Sequence, residues 1–401
     1  MKNTITNTLI AATLIAISNL TALAAQDEEV IKELSKDIEG SQTIEIGGGV
    51  TSVYQRNVKG GLSTDSRKGE FSGSYDVEML IDTGKLFGID GQFFIHGEGG
   101  WTDSEGIDGE SVGSFFGTNA DAGGNRTLDI VEAFYQTGIN DQFDIAVGKI
   151  DFTGFFDASE YANDETMQFL NGSLVNNSAI PFPDYSLGAI ATFNFNNCYL
   201  MAGVADAEAD GRETGFNTAF DGDKYFFYIA EAGLSTAINS QNGELGGNYR
   251  IGVWNDPQPK ANSDISDESR DDTGFYASFD QMVAKENDNP QDDQGLGVFF
   301  RYGYADLKRN DMSSFCSIGC QYKGLLDGRD NDVFGMGYSN GSFSNYAETT
   351  YPDGYESAFE AYYNIEITPD LSLCPDLQYI TNPGGANPDA VVLAMRVQYS
   401  F

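Results

Sequence analysis

The chain is short of most of the residues that catalysis, metal binding and nucleic-acid recognition depend on. It has one histidine (His96), two tryptophans, four cysteines and only 22 lysines and arginines against 61 acids, a formal net charge of −39. A phosphate-binding face needs a basic surface, so a nucleic-acid partner is excluded. A single histidine disfavours a His-based metal set and weakens the case for a Ser-His catalytic site; neither a metal nor a cofactor is expected. Paired carboxylates could support glycoside hydrolysis. A polar wall carries such acids anyway, so the chain is read as a non-enzyme. After the N-terminus no stretch approaches the roughly 20 consecutive apolar residues of a transmembrane helix.

What is present points elsewhere. Lys2, the apolar run Leu9–Ser18 and the small residues Ala22–Ala24 form a signal-peptide pattern over 1–24, with export to an oxidising compartment. Residues 25–41 read as a short amphipathic periplasmic helix ending at Gly40, a candidate plug or cap. From 42 to 401 the chain reads as strands, with 28 Phe, 21 Tyr and 47 Gly feeding strands and turns. About sixteen strands are expected, at 43–54, 70–82, 91–101, 127–138, 141–152, 185–195, 198–206, 224–237, 246–254, 273–284, 294–304, 318–325, 331–340, 355–366, 369–380 and 389–401. Short connections such as 138–141, 194–197 and 367–370 alternate with long ones around 102–126, 153–184 and 255–272.

That alternation is the pattern of an antiparallel β-barrel that spans a membrane, with tight turns on one side and loops on the other. An even strand number puts both termini on the turn side. The final stretch, Val391–Phe401, alternates to its last residue: odd positions apolar for lipid, Arg396 and Gln398 for water. Tyrosines gather near strand ends, as an interfacial girdle would place them.

The ordered set GQFFIHGEGG (91–100), VGKIDFTGFFD (147–157), YRIGVWND (249–256), GFYASFDQMV (274–283), DQGLGVFFRYG (293–303) and GLLDGRDNDVFGMGY (324–338) resembles the OprB-type carbohydrate-selective porins. The C-terminal third, from YESAFEAYYNI (355–365) through PDLQYITNPGG (375–385), resembles them too. The resemblance covers about 42–401. It implies a sixteen-stranded outer-membrane barrel in a Gram-negative-type envelope that passes sugars by diffusion, a homotrimer by analogy with large porins. The alternatives are a general or cation-favouring porin and a structural or adhesive surface barrel. Outer-membrane lipid is the surrounding partner, and divalent cations are a candidate partner of the acidic external loops.

Sugars are neutral, so discrimination relies on hydroxyl hydrogen bonds and aromatic faces. Alternation places Arg250, Arg301, Arg396, Glu356, Glu360 and Asp376 in the lumen as sugar-contacting candidates, with bracing of the wall as the competing role. It also places Asp76, Glu78, Glu132, Glu231 and Asp280 there, and His96 reads as a pore-wall or strand-packing residue. The loop Asp151–Asn177 carries Phe152, Phe155 and Phe156, rings that a solvated loop would not expose; folding inward is one explanation, and packing against the lid or a neighbouring subunit is the competing one. Trp101 and Trp254 sit near the outer strand ends, each an interfacial anchor or a sugar platform. Lys149 shares a face with Phe143, Ile145 and Val147, so either a bulge lies near Gly148 or the lysine snorkels at the outer rim. Cys316 and Cys320, read as lying in a long loop, are candidates for a local disulfide.

Overall fold

The computed structural model describes residues 43–102, 106–220, 224–289 and 292–401; the expected signal peptide and N-terminal helix lie outside them. Sixteen strands close into one antiparallel barrel, each paired to its sequence neighbours and the last to the first. They are β1 (Ile44–Lys59), β2 (Gly69–Asp82), β3 (Gln92–Gly100), β4 (Arg126–Asn140), β5 (Phe143–Ile150), β6 (Ser186–Phe195), β7 (Cys198–Asp206) and β8 (Phe226–Ser240). The second half comprises β9 (Gly243–Asp256), β10 (Asp272–Lys285), β11 (Gly295–Tyr304), β12 (Met312–Lys323), β13 (Val333–Phe343), β14 (Tyr355–Thr368), β15 (Leu371–Thr381) and β16 (Ala390–Ser400). Closure pairs Gly49 with Ser400 and Tyr54 with Met395, so neither terminal strand leaves an open edge.

Two-residue turns join β4–β5, β6–β7, β8–β9 and β14–β15. At the β6–β7 turn Asn196 has φ +51°, the left-handed conformation that tight hairpins favour. The opposite rim carries the long connections, above all residues 101–125 and 151–185.

The pleat sorts the strands into two faces. On β16, Leu393, Met395, Val397 and Tyr399 are exposed outward while Val392, Ala394, Arg396 and Gln398 are buried inward. The same outward exposure of Val147, Leu200, Ile251, Val253, Phe275, Ile318 and Leu377 gives an apolar belt that water would not tolerate. Lipid covers such a belt without cost.

Two expectations are revised here. Strand β12 begins at Met312, so Cys316 and Cys320 lie within it on the outward face, four residues or about 13 Å apart along the strand. That spacing is far beyond disulfide reach, and all four cysteines are free. Near Gly148 the β4–β5 and β5–β6 pairings run without a break. Lys149 does face outward, but it is buried, with Nζ donating to the carbonyls of Ile130 (3.0 Å), Gly211 (2.6 Å) and Glu213 (2.5 Å). The β7–β8 connection folds over the outer wall and caps the ammonium with its carbonyls.

Inside the barrel the long loops pack onto the wall and create the hydrophobic core. Phe152, Phe156, Ile180, Phe227, Trp254 and Tyr276 form one cluster. Tyr161, Phe169, Leu174, Phe299 and Tyr362 form a second. The wall makes room by omitting side chains: a Cβ on Gly203 would stand 2.6 Å from Phe152, and one on Gly297 would stand 2.1 Å from Tyr161. Such contacts cannot relax without moving the loop. Gly203→Val should therefore keep a heat-modifiable barrel on electrophoresis but cost about 1–3 kcal/mol of unfolding free energy.

Candidate functional site

A loop laid inside a barrel carries backbone N–H and C=O groups that still need partners. Here the lumen face of the strands supplies them. Arg301, 1% exposed, points inward from β11. Its Nη1 donates to the carbonyls of Leu174 (3.2 Å) and Val175 (3.0 Å). Its Nη2 donates to the carbonyls of Asp157 and Ala162 and to Asn163 Oδ1. Arg396 on β16 does the same for the carbonyls of Glu165 (2.8 Å) and Gln168 (2.9 Å).

Carboxylates serve the N–H groups. Glu360 accepts from the amides of Leu170 (2.6 Å) and Asn171 (2.8 Å). Glu231 on β8 accepts from the amide of Asp157 (2.9 Å) and from the hydroxyls of Tyr199 and Tyr276. Glu356 holds the other inward loop, accepting from the amides of Phe115 (2.8 Å) and Gly384 (2.6 Å) and from Ser114 Oγ. Gln378 completes the set by donating to the carbonyl of Thr118 and accepting from Asn171 Nδ2.

Burial thus reassigns most of the residues expected to touch a solute. Arg301, Arg396, Glu356, Glu360 and Asp376 are buried; the arginines and both glutamates clamp the loops, and Asp376 lies beside Gln378. Phe152 and Phe156 lie stacked against one another within the core rather than at the pore surface. Trp254 is buried as well, stacked on Phe227 under Lys260. Trp101 faces outward, 37% exposed and stacked on Tyr75, an interfacial position. Arg250 is inward but tied to Asp280 at 2.7 Å. Phe155 is the one candidate ring of the inward loop left partly open, packed edge-on to Phe134.

The partly exposed polar groups gather on the wall of β2–β4 and the loop edges that face it. His96 bridges two acids, Nε2 to Asp76 (2.9 Å) and Nδ1 to Glu132 (3.3 Å). Glu132 also accepts from the amide of Asp151, the first residue of the inward loop. One turn of the pleat along β3, Glu98 takes Arg126 at 3.5 Å and the hydroxyl of Tyr185 at 3.1 Å. Asp121, Asp151, Asp164 and Glu165 bring loop carboxylates near these groups. Burial, with Asp76 and Glu98 adding like charge against a Ser74 hydrogen bond, pushes the Asp121 carboxyl up to about 7. Burial and the neighbouring Asp164 push Glu165 up to about 8.

Sequence reasoning anticipated His96 as a wall residue and Glu132 as a lumen acid. It missed Glu98, although alternation with His96 puts Glu98 on the same face. It also missed Arg126, Tyr185 and the loop acids, for which no periodicity exists to read.

The arrangement is a set of partly exposed, paired polar groups beside a loop clamped to the wall of a closed barrel. The family model for "Carbohydrate-selective porin, OprB family" matches residues 66–401. The chain belongs to that family. A protein of Aquifex aeolicus (strain VF5) is 28% identical over 208 residues, 48% of this chain and 62% of its own. Porin B of Pseudomonas aeruginosa is 23% identical over 239 residues, 51% of this chain and 52% of its own. The chain therefore spans about half to two thirds of the length of these curated relatives. The high-pH structure of Pseudomonas putida OprB superposes with a TM-score of 0.78 at 18% identity, over 92% of this chain and 96% of that one, a likeness of fold. Membership of this porin family and a membrane-spanning barrel imply an outer-membrane channel of the Gram-negative type rather than an enzyme.

Removing one partner of a buried charged pair leaves the other unsatisfied, at a cost of about 3–5 kcal/mol. Arg301→Met should therefore release the loop, destabilise the barrel by a sum of that order and raise single-channel KCl conductance, measured in planar bilayers. A carboxyl with a raised pKa is neutral below it and charged above it. The cation-over-anion permeability ratio should accordingly rise from about pH 5 to about pH 9 with a midpoint near 7, and Asp121→Asn with Glu165→Gln should flatten it. Reversal potentials in a KCl gradient measure this.

Proposed function

We propose that this OprB-family barrel is a passive, sugar-preferring porin whose constriction lies between the β2–β4 wall and the inward loop 151–185. The observation that carries the reading is the set of partly exposed, mutually paired polar groups, Asp76–His96–Glu132 and Tyr185–Glu98–Arg126. The paired groups present donors and acceptors to hydroxyls, and the pairing leaves the three carboxylates only partly uncompensated, which suits a neutral polyol better than an anion. Phe155, beside them on the loop, supplies an apolar ring for the C–H face of a sugar. Its neighbour Gly154 borders open space.

A cation-favouring porin is the second reading, carried by the loop acids Asp121, Asp164 and Glu165 and the charge of −39. The two are compatible in one pore. Periplasmic termini, a homotrimer and divalent cations on the acidic outer loops belong to the same proposal. Its support is the position of Ile44 and Ser400 at the short-turn rim, the family and the charge, respectively.

Glucose added to the purified protein in a planar bilayer should reduce ion current in a saturable way. Phe155→Ala and Glu98→Gln should each weaken that block about fivefold or more, the scale of one lost aromatic contact or charge-assisted hydrogen bond. Block that is absent in the native protein would remove the sugar reading and leave the cation-favouring one.

A further inference from the structure

A second place in the lumen combines an aromatic face with unspent polar atoms, well removed in sequence from the β2–β4 wall. It is a cavity of about 220 Å³, half open to solvent, where four long-rim connections meet the start of β12. Phe115, Pro181, Arg309, Asn310 and Met312 are among its lining residues.

Phe115 is 39% exposed although three other rings surround it. It stands nearly perpendicular to Phe116, Phe343 and Tyr351 at centroid distances of 5.8, 5.2 and 5.8 Å. Phe343 and Tyr351 are themselves stacked at 4.2 Å, and the Tyr351 hydroxyl donates to Asp311 Oδ2. The backbone of Phe115 is fixed by Glu356. An exposed ring held this firmly pays little conformational entropy on binding a flat apolar surface.

The polar side is equally prepared. Arg309 is occupied at Nε by the carbonyl of Arg270 and at Nη1 by Asp306. Among the described residues its other η nitrogen has no partner. Asn310 donates its amide to Asp272 and to the carbonyl of Asp306, which leaves its Oδ1 as an acceptor. Asp311 accepts from Ser263 and Tyr351, and Arg309 is neutralised by Asp306. The pocket therefore offers one donor, one acceptor and one ring beside a single carboxylate already engaged by neutral donors. A neutral, hydroxyl-bearing ring fits that chemistry. An anion meets the repulsion of that carboxylate and of an acidic chain. The volume lies below the about 300–1,000 Å³ of pockets for drug-sized ligands, so a single sugar ring is the right size rather than an oligosaccharide.

We infer that the inner rim at Phe115, Arg309 and Asn310 is a vestibule capture site for one hexose unit, filled before the solute reaches the constriction. Because Ala179 and Pro181 of the constriction-forming loop also line it, captured sugar is delivered onto that loop. The inference rests on the sugar-porin reading, and its test separates the two. Labelled glucose entry into proteoliposomes is measured at sub-millimolar and at saturating glucose, alongside KCl conductance.

Phe115→Ala should lower the sub-millimolar rate about fivefold, the value of one aromatic contact, while leaving the saturating rate and KCl conductance unchanged. Phe115→Trp keeps a platform and should stay within about twofold of the native rate. The backbone amide that Glu356 holds is retained in both variants, and heat-modifiable migration checks the barrel. Unchanged low-glucose entry in Phe115→Ala, with entry still impaired by Phe155→Ala, overturns the vestibule site alone. A parallel fall in KCl conductance overturns it too, because the ring would then be shaping the pore. Native protein with no saturable glucose entry overturns the sugar reading and this inference together.

Discussion

The structure depends on hydrogen bonding between the barrel wall and the backbone of a loop whose own secondary structure is a 3-10 turn at Phe152–Gly154 and one helical turn at Gly172–Val175. A 35-residue connection, 151–185, cannot lie inside a barrel unless its amides and carbonyls find partners there. Arg301 and Arg396 take carbonyls, Glu231 and Glu360 take amides, and each does so from a lumen position fixed by the pleat. These charges are desolvated, and they are tolerable because each is used several times over. A guanidinium bonded to five oxygens, as that of Arg301 is, loses little by leaving water.

The rest of the interior follows from that clamp. With its backbone held, the loop can turn Phe152, Phe156, Tyr161 and Phe169 toward the wall, where glycines such as Gly203 and Gly297 leave recesses for them. Part of the lumen is thereby filled with a dry core. The partly exposed polar groups lie on the wall of β2–β4, and the proposed constriction is placed there. The aromatic vestibule has the same origin, since Phe115 is positioned by Glu356 at the second clamped loop.

The barrel itself was legible in the residues. All sixteen expected segments correspond to strands, because alternation over ten or more residues is a strong signal and the short turns punctuate it. The one strand placed badly was β12, where Ser313, Ser314, Ser317 and Gly319 dilute the apolar positions and the two cysteines suggested a loop. Inward placement of Arg301, Arg396, Glu356 and Glu360 was also legible, since facing follows from counting by twos. Lys149 was placed on the right face, but its partners, Gly211 and Glu213, sit over 60 residues away on a connection that nothing local binds to it.

Sequence alone thus determined the strand number, the inward and outward faces and the apolar belt. These are properties of local periodicity and of composition, and each can be read within one strand or one connection. Only the tertiary structure decided which inward charges meet solvent. Arg301 and Glu98 are alike in sequence, each a charged residue on the lumen side of a strand, yet one is sealed beneath the loop and the other keeps partial exposure. The difference is set by where the loop lands around the barrel, a long-range contact between residues more than a hundred positions apart, and no local pattern carries that information.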